Sequence, residues 1–271
     1  MPELPEVETI ARALRPQLTG CSILEAQVSW PRTLAAPSIR AFKQRIQGQK
    51  IMEVGRRAKF LHLRLTGDSL LIHLRMTGDL LLEESASLQR FERLRLSLSR
   101  GLEALPLFLV FCDARKFGRI WLTPRPQDIL GKLGPEPFGE EFTPDWLYAA
   151  LHSRHRQLKP LLLDQTFLAG LGNIYTDEAL HRARLHPLRI SDSIRSQQAV
   201  RLWDAIRSVL EEGIQRNGAS LDWVYRGGDF QNHFRVYDRE GKDCLVCGAK
   251  IKRRVVGQRG TYFCPRCQRR E

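Results

Sequence analysis

From about residue 22 to 122 the apolar pattern shifts toward a period of two, which suits one face of a sheet and not a helix. Leu61, Leu63 and Leu65 alternate with His62 and Arg64, and Leu94, Leu96 and Leu98 alternate with Arg95 and Ser97. Each run predicts a half-buried strand. Thr66-Gly67-Asp68 reads as the turn of a hairpin joining 59–65 to 69–75, and the unbroken apolar run from Leu107 to Cys112 as a more deeply buried strand. Strands with one apolar face pack as a β-sandwich or a flattened barrel. Ahead of them, Val7, Ile10, Ala11, Leu14 and Leu18 fall at helical spacing behind Pro5, which predicts an amphipathic helix over 6–18 ended by Gly20.

The period changes after residues 124 to 139, a stretch dense in proline and glycine that marks a domain boundary. Thr143-Pro144-Asp145 has the capping hydroxyl and early proline of a helix start, followed by an apolar face of Trp146, Leu147, Ala150 and Leu151. Further helices are expected over 158–165, 173–184 and 196–216. The last carries a stripe of Val200, Trp203, Ile206, Val209, Leu210 and Ile214 and is closed by Asn217-Gly218. The expected architecture is therefore α+β and multidomain. A β-sandwich domain with an N-terminal helix covers 1–130, a helical domain 131–238, and a small metal-bound domain 239–271.

That last domain rests on Cys244-Leu-Val-Cys247 and Cys264-Pro-Arg-Cys267, two knuckles separated by sixteen residues. Two residues between cysteines let both thiolates face one ion, and four thiolates close a tetrahedron with no position left for substrate. One structural Zn²⁺ is the expected cofactor, and a redox dithiol pair is the alternative. Cys21 and Cys112 stand alone in apolar contexts and read as buried thiols. The chain carries 43 basic and 30 acidic residues, and residues 241–271 alone hold nine Lys or Arg against two acids. A polyanionic partner is expected, with nucleic acid the leading candidate. No apolar run reaches the ~20 residues of a membrane span, and the N-terminus lacks the basic start of a signal peptide. A monomer working in the cytoplasm, with no membrane partner, is the expectation.

The opening Met1-Pro2-Glu3-Leu4-Pro5-Glu6-Val7-Glu8 places a proline where removal of one methionine exposes a secondary amine. Such an amine titrates near ~8, and it can attack an electrophilic carbon to give an iminium. Glu3 sits beside it. Lys159-Pro-Leu-Leu-Leu-Asp-Gln-Thr-Phe-Leu-Ala-Gly-Leu-Gly-Asn173-Ile-Tyr175 has the plan helix, glycine turn, helix. Asn173 is placed to cap the second helix, whose exposed amides form a phosphate site.

These segments resemble the formamidopyrimidine-DNA glycosylase family. The match includes the terminus, the helical hairpin, which is similar to the family's helix–two-turn–helix element, and Gln258-Arg259-Gly260-Thr261-Tyr262-Phe263-Cys264, which is similar to its zinc-finger β-hairpin. The resemblance implies a bifunctional DNA glycosylase and abasic-site lyase of base excision repair, acting on oxidised purines in damaged double-stranded DNA. Pro2 then attacks C1′ and Glu3 supplies a proton. Lys59, within Arg56-Arg57-Ala58-Lys59-Phe60, and the hairpin arginine Arg259 assist β and δ elimination. His73-Leu74-Arg75-Met76-Thr77-Gly78 and Asp113-Ala114-Arg115-Lys116-Phe117-Gly118 resemble the family's void-filling loops. Met76, Arg115 and Phe117 are carried over as the intercalating triad, with His73, Lys159 and Asn173 as further DNA contacts.

The second loop departs from the usual form at Ala114 and Lys116, and Arg90-Phe91-Glu92-Arg93 stands where many members carry a histidine-containing segment. The stretch 218–235 is the expected cover of the lesion. An endonuclease VIII-like enzyme for oxidised pyrimidines is the rival within the superfamily, and a non-catalytic zinc-ribbon DNA-binding protein the rival outside it.

Overall fold

A computed structural model describes residues 1–101, 106–220 and 227–270. The chain divides into two compact units, one of Met1–Pro2, Glu6–Lys132 and Ser220–Arg226, the other of Glu3–Pro5, Leu133–Ala219 and Gly227–Glu271.

In the first unit, helix α1 (Leu4–Leu18) is followed by β1 (Ser22–Val28), β2 (Leu34–Ala36) and helix α2 (Ile39–Ile46). Strands β3 (Ile51–Arg57), β4 (Phe60–Leu65), β5 (Ser69–His73), β6 (Gly78–Glu83), β7 (Glu92–Ser99), β8 (Leu107–Asp113) and β9 (Arg119–Thr123) come next, and helix α3 (Gln127–Leu130) ends the series. The strands form a four-stranded sheet in the order β1-β7-β8-β6 and a five-stranded sheet in the order β2-β9-β5-β4-β3. One apolar cluster takes Leu61, Leu63 and Ile72 from the second sheet, Leu94, Leu96 and Phe111 from the first, and Val7, Leu14 and Phe42 from the two helices. This is the sandwich that the period-two pattern requires.

Two positions depart from the alternation. Arg95, expected on the polar face of β7, is buried. Its guanidinium donates to both Glu92 carboxylate oxygens at 2.9 and 2.7 Å and lies over the Phe108 ring, so the charge is matched in place. Cys21 is buried as expected, whereas Cys112 is only half-buried, because it sits on β8 among the acidic side chains of Asp79, Glu83 and Glu92.

In the second unit, α4 (Pro144–His152) starts on the Thr143 hydroxyl, which accepts from Trp146 N at 3.1 Å. It is followed by α5 (Leu158–Leu163), α6 (Asn173–Arg182), α7 (Ser196–Gln215) and the hairpin of β10 (Lys252–Val256) and β11 (Arg259–Phe263). The finger clusters with the helices, not as a separate body. Helix α6 explains this, for it is buried along almost its whole length and its polar groups bond to the finger. Among the described residues no helix is long and apolar enough to cross a membrane.

Candidate active site and nucleic-acid contacts

Glu3 is buried, and its carboxylate closes the N-terminus of α6. Oε2 accepts from Gly172 N at 2.6 Å and Tyr175 N at 3.4 Å, and Oε1 accepts from Ile174 N at 2.9 Å. These are the first amides of the helix, which have no partner within it and carry the positive end of its dipole. The turn before them is shaped for this contact. Gln165 accepts from Gly170 N at 2.9 Å and donates to Leu171 O at 2.8 Å, while Leu4 N donates to Gly170 O at 3.1 Å. A Cβ at Gly172 would overlap the Glu3 carboxyl carbon, so only glycine admits the acid here.

The expected Asn173 cap is thereby corrected: Gly172 is the N-cap residue, and the capping oxygens come from a side chain 169 positions away. The amides expected to hold a phosphate are occupied by Glu3. Pro2, the neighbouring residue, is buried, while Met1 is about half exposed.

From that end, α6 runs a polar stripe under the finger. Asn173 Nδ2 donates to Gly260 O at 3.0 Å, and Asp177 Oδ2 accepts from Tyr262 N at 2.9 Å. Lys159 Nζ reaches the same hairpin, donating to Asp177 Oδ1 at 2.7 Å and Gly260 O at 3.0 Å. Glu178 accepts from the amides of Arg235, Val236 and Tyr237 at 2.8 to 2.9 Å. His181 Nε2 lies 3.6 Å from Cys244 Sγ. Lys159 and Asp177 are 0% and 1% exposed. Burial pushes the Asp177 carboxyl up to about 7 and the Lys159 ammonium down, each opposed by the other's charge. Lys159 is therefore not presented as a phosphate contact, contrary to expectation. Its ammonium is enclosed by a carboxylate and a carbonyl, and it braces the strand that carries Arg259.

Arg259 is exposed at the start of β11. The hairpin beside it turns on Gly257 and Gln258, both at positive φ, the two-residue geometry that matches strand twist. Its knuckle cysteines meet: Cys247 and Cys264 sulfurs lie 3.4 Å apart, Cys244 and Cys267 3.9 Å, and all four within 4.8 Å of one another. Tetrahedral Zn–S bonds of about 2.3 Å imply sulfur separations of about 3.8 Å. The four thiolates thus fit one zinc ion, which they hold as a closed structural site.

In the first unit, Lys59 lies in the turn between β3 and β4, after Ala58 at φ 52°, and is buried. His73 ends β5 and is also buried. Its Nδ1 accepts from Arg75 N at 3.0 Å, which leaves Nε2 as the protonated nitrogen. Burial, with Arg75 and Lys59 adding to it, lowers the imidazole to about 3, so His73 is neutral near pH 7.

Met76 and Phe117 are 38% and 49% exposed. They occupy the β5–β6 and β8–β9 loops respectively, and the Arg115 guanidinium lies 5.0 Å from the Phe117 ring centre. The proposed cover at 218–235 includes 221–226, which lie outside the described residues.

A β-sandwich, a helical hairpin whose second helix is capped by Glu3, and a four-thiolate finger together define the architecture of a zinc-finger DNA glycosylase. The family description "Formamidopyrimidine-DNA glycosylase N-terminal domain" matches residues 1–120, "Formamidopyrimidine-DNA glycosylase H2TH domain" 133–224, and "Zinc finger found in FPG and IleRS" 241–270. Formamidopyrimidine-DNA glycosylase of Pelotomaculum thermopropionicum is 44% identical over 99% of each chain. That of Chloroflexus aurantiacus is 47% identical over 99% of this chain and 98% of the relative. The structure of wild-type Lactococcus lactis Fpg with DNA containing N7-benzyl-Fapy-dG superposes with a TM-score of 0.91 at 34% identity, covering 99% of this chain and 100% of that one. The chain belongs to the formamidopyrimidine-DNA glycosylase family, whose members are glycosylases and abasic-site lyases.

Asp113, Asp177, Glu178 and His181 escaped the reading of the sequence. A signal for part of this set existed: Asn173, Asp177 and His181 are spaced four apart and so share one face of a helix.

Proposed function

We propose that the chain excises oxidised purines, 8-oxoguanine and formamidopyrimidines, from duplex DNA and then cuts the abasic strand by β and δ elimination. The observation that carries this reading is the Glu3 carboxylate fixed to the first amides of α6, next to Pro2. A DNA-binding module needs no acid anchored beside a terminal amine. Solved relatives hold DNA containing Fapy-dG or carbocyclic 8-oxo-G, which favours purine lesions over the pyrimidines of an endonuclease VIII-like enzyme.

The chemistry requires removal of Met1, because an acylated Pro2 nitrogen has no available lone pair. The freed amine attacks C1′, the bond from C1′ to the base breaks, and the base leaves with that electron pair and takes up a proton from solvent. Glu3 takes the proton from the Pro2 nitrogen and delivers it to O4′ as the sugar opens, leaving the iminium at C1′. Lys59 assists proton transfer in the eliminations, and Arg259 grips the phosphate that departs in the second. His73, as a neutral donor through Nε2, and Asn173 are assigned to the DNA backbone. Met76, Arg115 and Phe117 fill the gap left by the flipped nucleotide. The zinc supplies folding free energy to the finger and no step of the reaction. One copy of the chain carries every residue named, so the proposal is for a monomer, and its chromosomal substrate assigns it to the cytoplasm.

Borohydride trapping on duplexes with 8-oxoguanine opposite cytosine or with an oxidised pyrimidine tests this. The processed enzyme is expected to cross-link to the purine lesion, and Pro2→Gly and Met1-retaining forms to fail. No adduct with the processed enzyme would remove the lyase claim, and preference for the pyrimidine would move the chain to the rival substrate class.

A further inference from the structure

The loops that carry Met76 and Arg115–Phe117 are separate in the chain but flanked by paired strand ends, Gly78 beside Asp113 and His73 beside Arg119, and one side chain bonds to both. Asp113 ends β8 and is 1% exposed. Its Oδ1 accepts from the Thr77 hydroxyl, one residue beyond Met76, and from Arg115 N at 3.2 Å. The Thr77 oxygen in turn accepts from Arg115 N at 3.0 Å, so hydroxyl, carboxylate and amide form a closed triangle. Oδ2 accepts from Gly118 N at 2.7 Å, on the far side of Phe117.

The backbone around this carboxylate is committed to it. Gly118 has no room for a Cβ, which would overlap the Phe111 ring, and Gly78 has none against Leu74 O. Arg75 and Lys116, next to the exposed side chains, sit at positive φ of 58° and 61°. Left-handed backbone at a residue with a Cβ is held only where surrounding bonds over-determine it. The main-chain atoms of Asp113 are fixed as well, with its N donating to Phe91 O at 2.9 Å and its O accepting from Arg93 Nε at 2.8 Å. Asp113 is thus rigid, and both loops hang from it.

We propose that Asp113 is the positioning residue that sets the two void-filling loops in register, with Thr77 as its bridge, so that Met76, Arg115 and Phe117 enter the duplex as one unit. The inference rests on the assignment of that triad to the void. Its physical content is preorganisation: three side chains on two loops act on a single base-sized gap only if the loops cannot drift apart. The residue does not touch DNA or the reacting atoms. Loss of the carboxylate is expected to loosen the fit opposite the lesion without altering the amine chemistry.

The test uses processed full-length enzyme and a duplex with 2-aminopurine opposite a tetrahydrofuran abasic analogue, so that the orphaned base reports insertion directly. At saturating enzyme, Asp113→Asn is expected to lose most of the fluorescence change seen with the parent. It is also expected to reduce excision of 8-oxoguanine opposite cytosine by roughly 10- to 100-fold, the scale of a small misplacement, and to narrow the difference between cytosine and adenine opposite the lesion. Thr77→Val, which removes only the bridge, carries the test if Asp113→Asn melts below the parent, and should shift both readouts in the same direction. Met76→Ala and Phe117→Ala are measured beside them. If those change the fluorescence and neither Asp113→Asn nor Thr77→Val does, the inference is overturned and the triad assignment stands. If Met76→Ala and Phe117→Ala change nothing, the triad assignment itself has failed.

Discussion

Glu3 and Ile174 are 171 positions apart in the chain, and a carboxylate oxygen of the first accepts the amide of the second at 2.9 Å. The acid proposed to act beside Pro2 is therefore also the cap of the helix that runs under the finger. Its position is fixed by backbone, and backbone cannot be changed by substituting a partner side chain. The glycine that admits it can be.

Gly172→Ala is expected to push Glu3 off the helix, because the new methyl would occupy the carboxyl position. A displacement near 1 Å costs on the order of 100-fold in rate, so trapping should fall by about that factor. The helix loses a cap as well, a penalty of about 1 kcal/mol. Single-turnover trapping with a parallel denaturation curve separates the two. Full trapping activity in a folded variant would show that the cap does not position the acid.

Lys159→Met leaves the Asp177 carboxylate buried without its cation, which costs about 3–5 kcal/mol, whereas Lys159→Met with Asp177→Leu removes both charges and should recover much of the loss. If Lys159 lies inside as described, its removal leaves the salt dependence of DNA binding unchanged. Arg259→Ala, by contrast, should reduce the slope of log affinity against log salt by about 1. An equal reduction with Lys159→Met would mean that the lysine reaches phosphate.

His73 is lowered to about 3 by burial first and by Arg75 and Lys59 next. Between pH 6.5 and about 3 the unfolded chain binds a proton that the folded imidazole refuses. The stability this histidine contributes is thus complete above 6.5 and lost as pH falls toward 3. At about 1.4 kcal/mol per pH unit, the parent should lose about 2 kcal/mol more than His73→Gln between pH 7 and 5. Urea denaturation at the two pH values measures this, and parallel losses would contradict it.

Zinc removal by a chelator is expected to expose all four cysteines to alkylation and to raise hydrogen exchange across 244–267, because the ion supplies the finger's folding free energy. Helix α7 should remain protected, since its buried face of Leu202, Ile206, Val209 and Leu210 is apolar and owes nothing to the metal. DNA affinity should fall with the finger. Unchanged exchange after zinc loss would assign the finger's order to α6 alone.

Much of the frame was legible because its causes are local. Leu61, Leu63 and Leu65 declare their face by alternation, Thr143 declares a helix start, and cysteine spacing declares a zinc knuckle. What was not legible depends on neighbours distant in the chain. Arg95 looks like a solvent-facing strand residue until Glu92 and Phe108 are placed around it. Lys159 looks like a free cation until Asp177 and Gly260 enclose it. Asn173 has the composition of a cap, and the cap is Glu3, because a carboxylate delivered from outside satisfies three amides where one amide oxygen would satisfy fewer. The residues assigned to chemistry were reached through resemblance; their physical setting came from tertiary packing.

Five of the hydrogen bonds that α6 makes to the hairpin and to residues 235–237 end on main-chain atoms: Gly260 O, Tyr262 N and the amides of 235, 236 and 237. Any sequence able to form that hairpin offers the same carbonyl and amides. The exposed side chains of Arg254 and Val255 take no part in these bonds and are free to vary. The receiving side has no such latitude, since Asn173, Asp177 and Glu178 act through their own heteroatoms. Grafting foreign hairpin tips onto this chain should succeed where transplanting α6 does not, a lopsided tolerance that makes the finger the adaptable part of the enzyme.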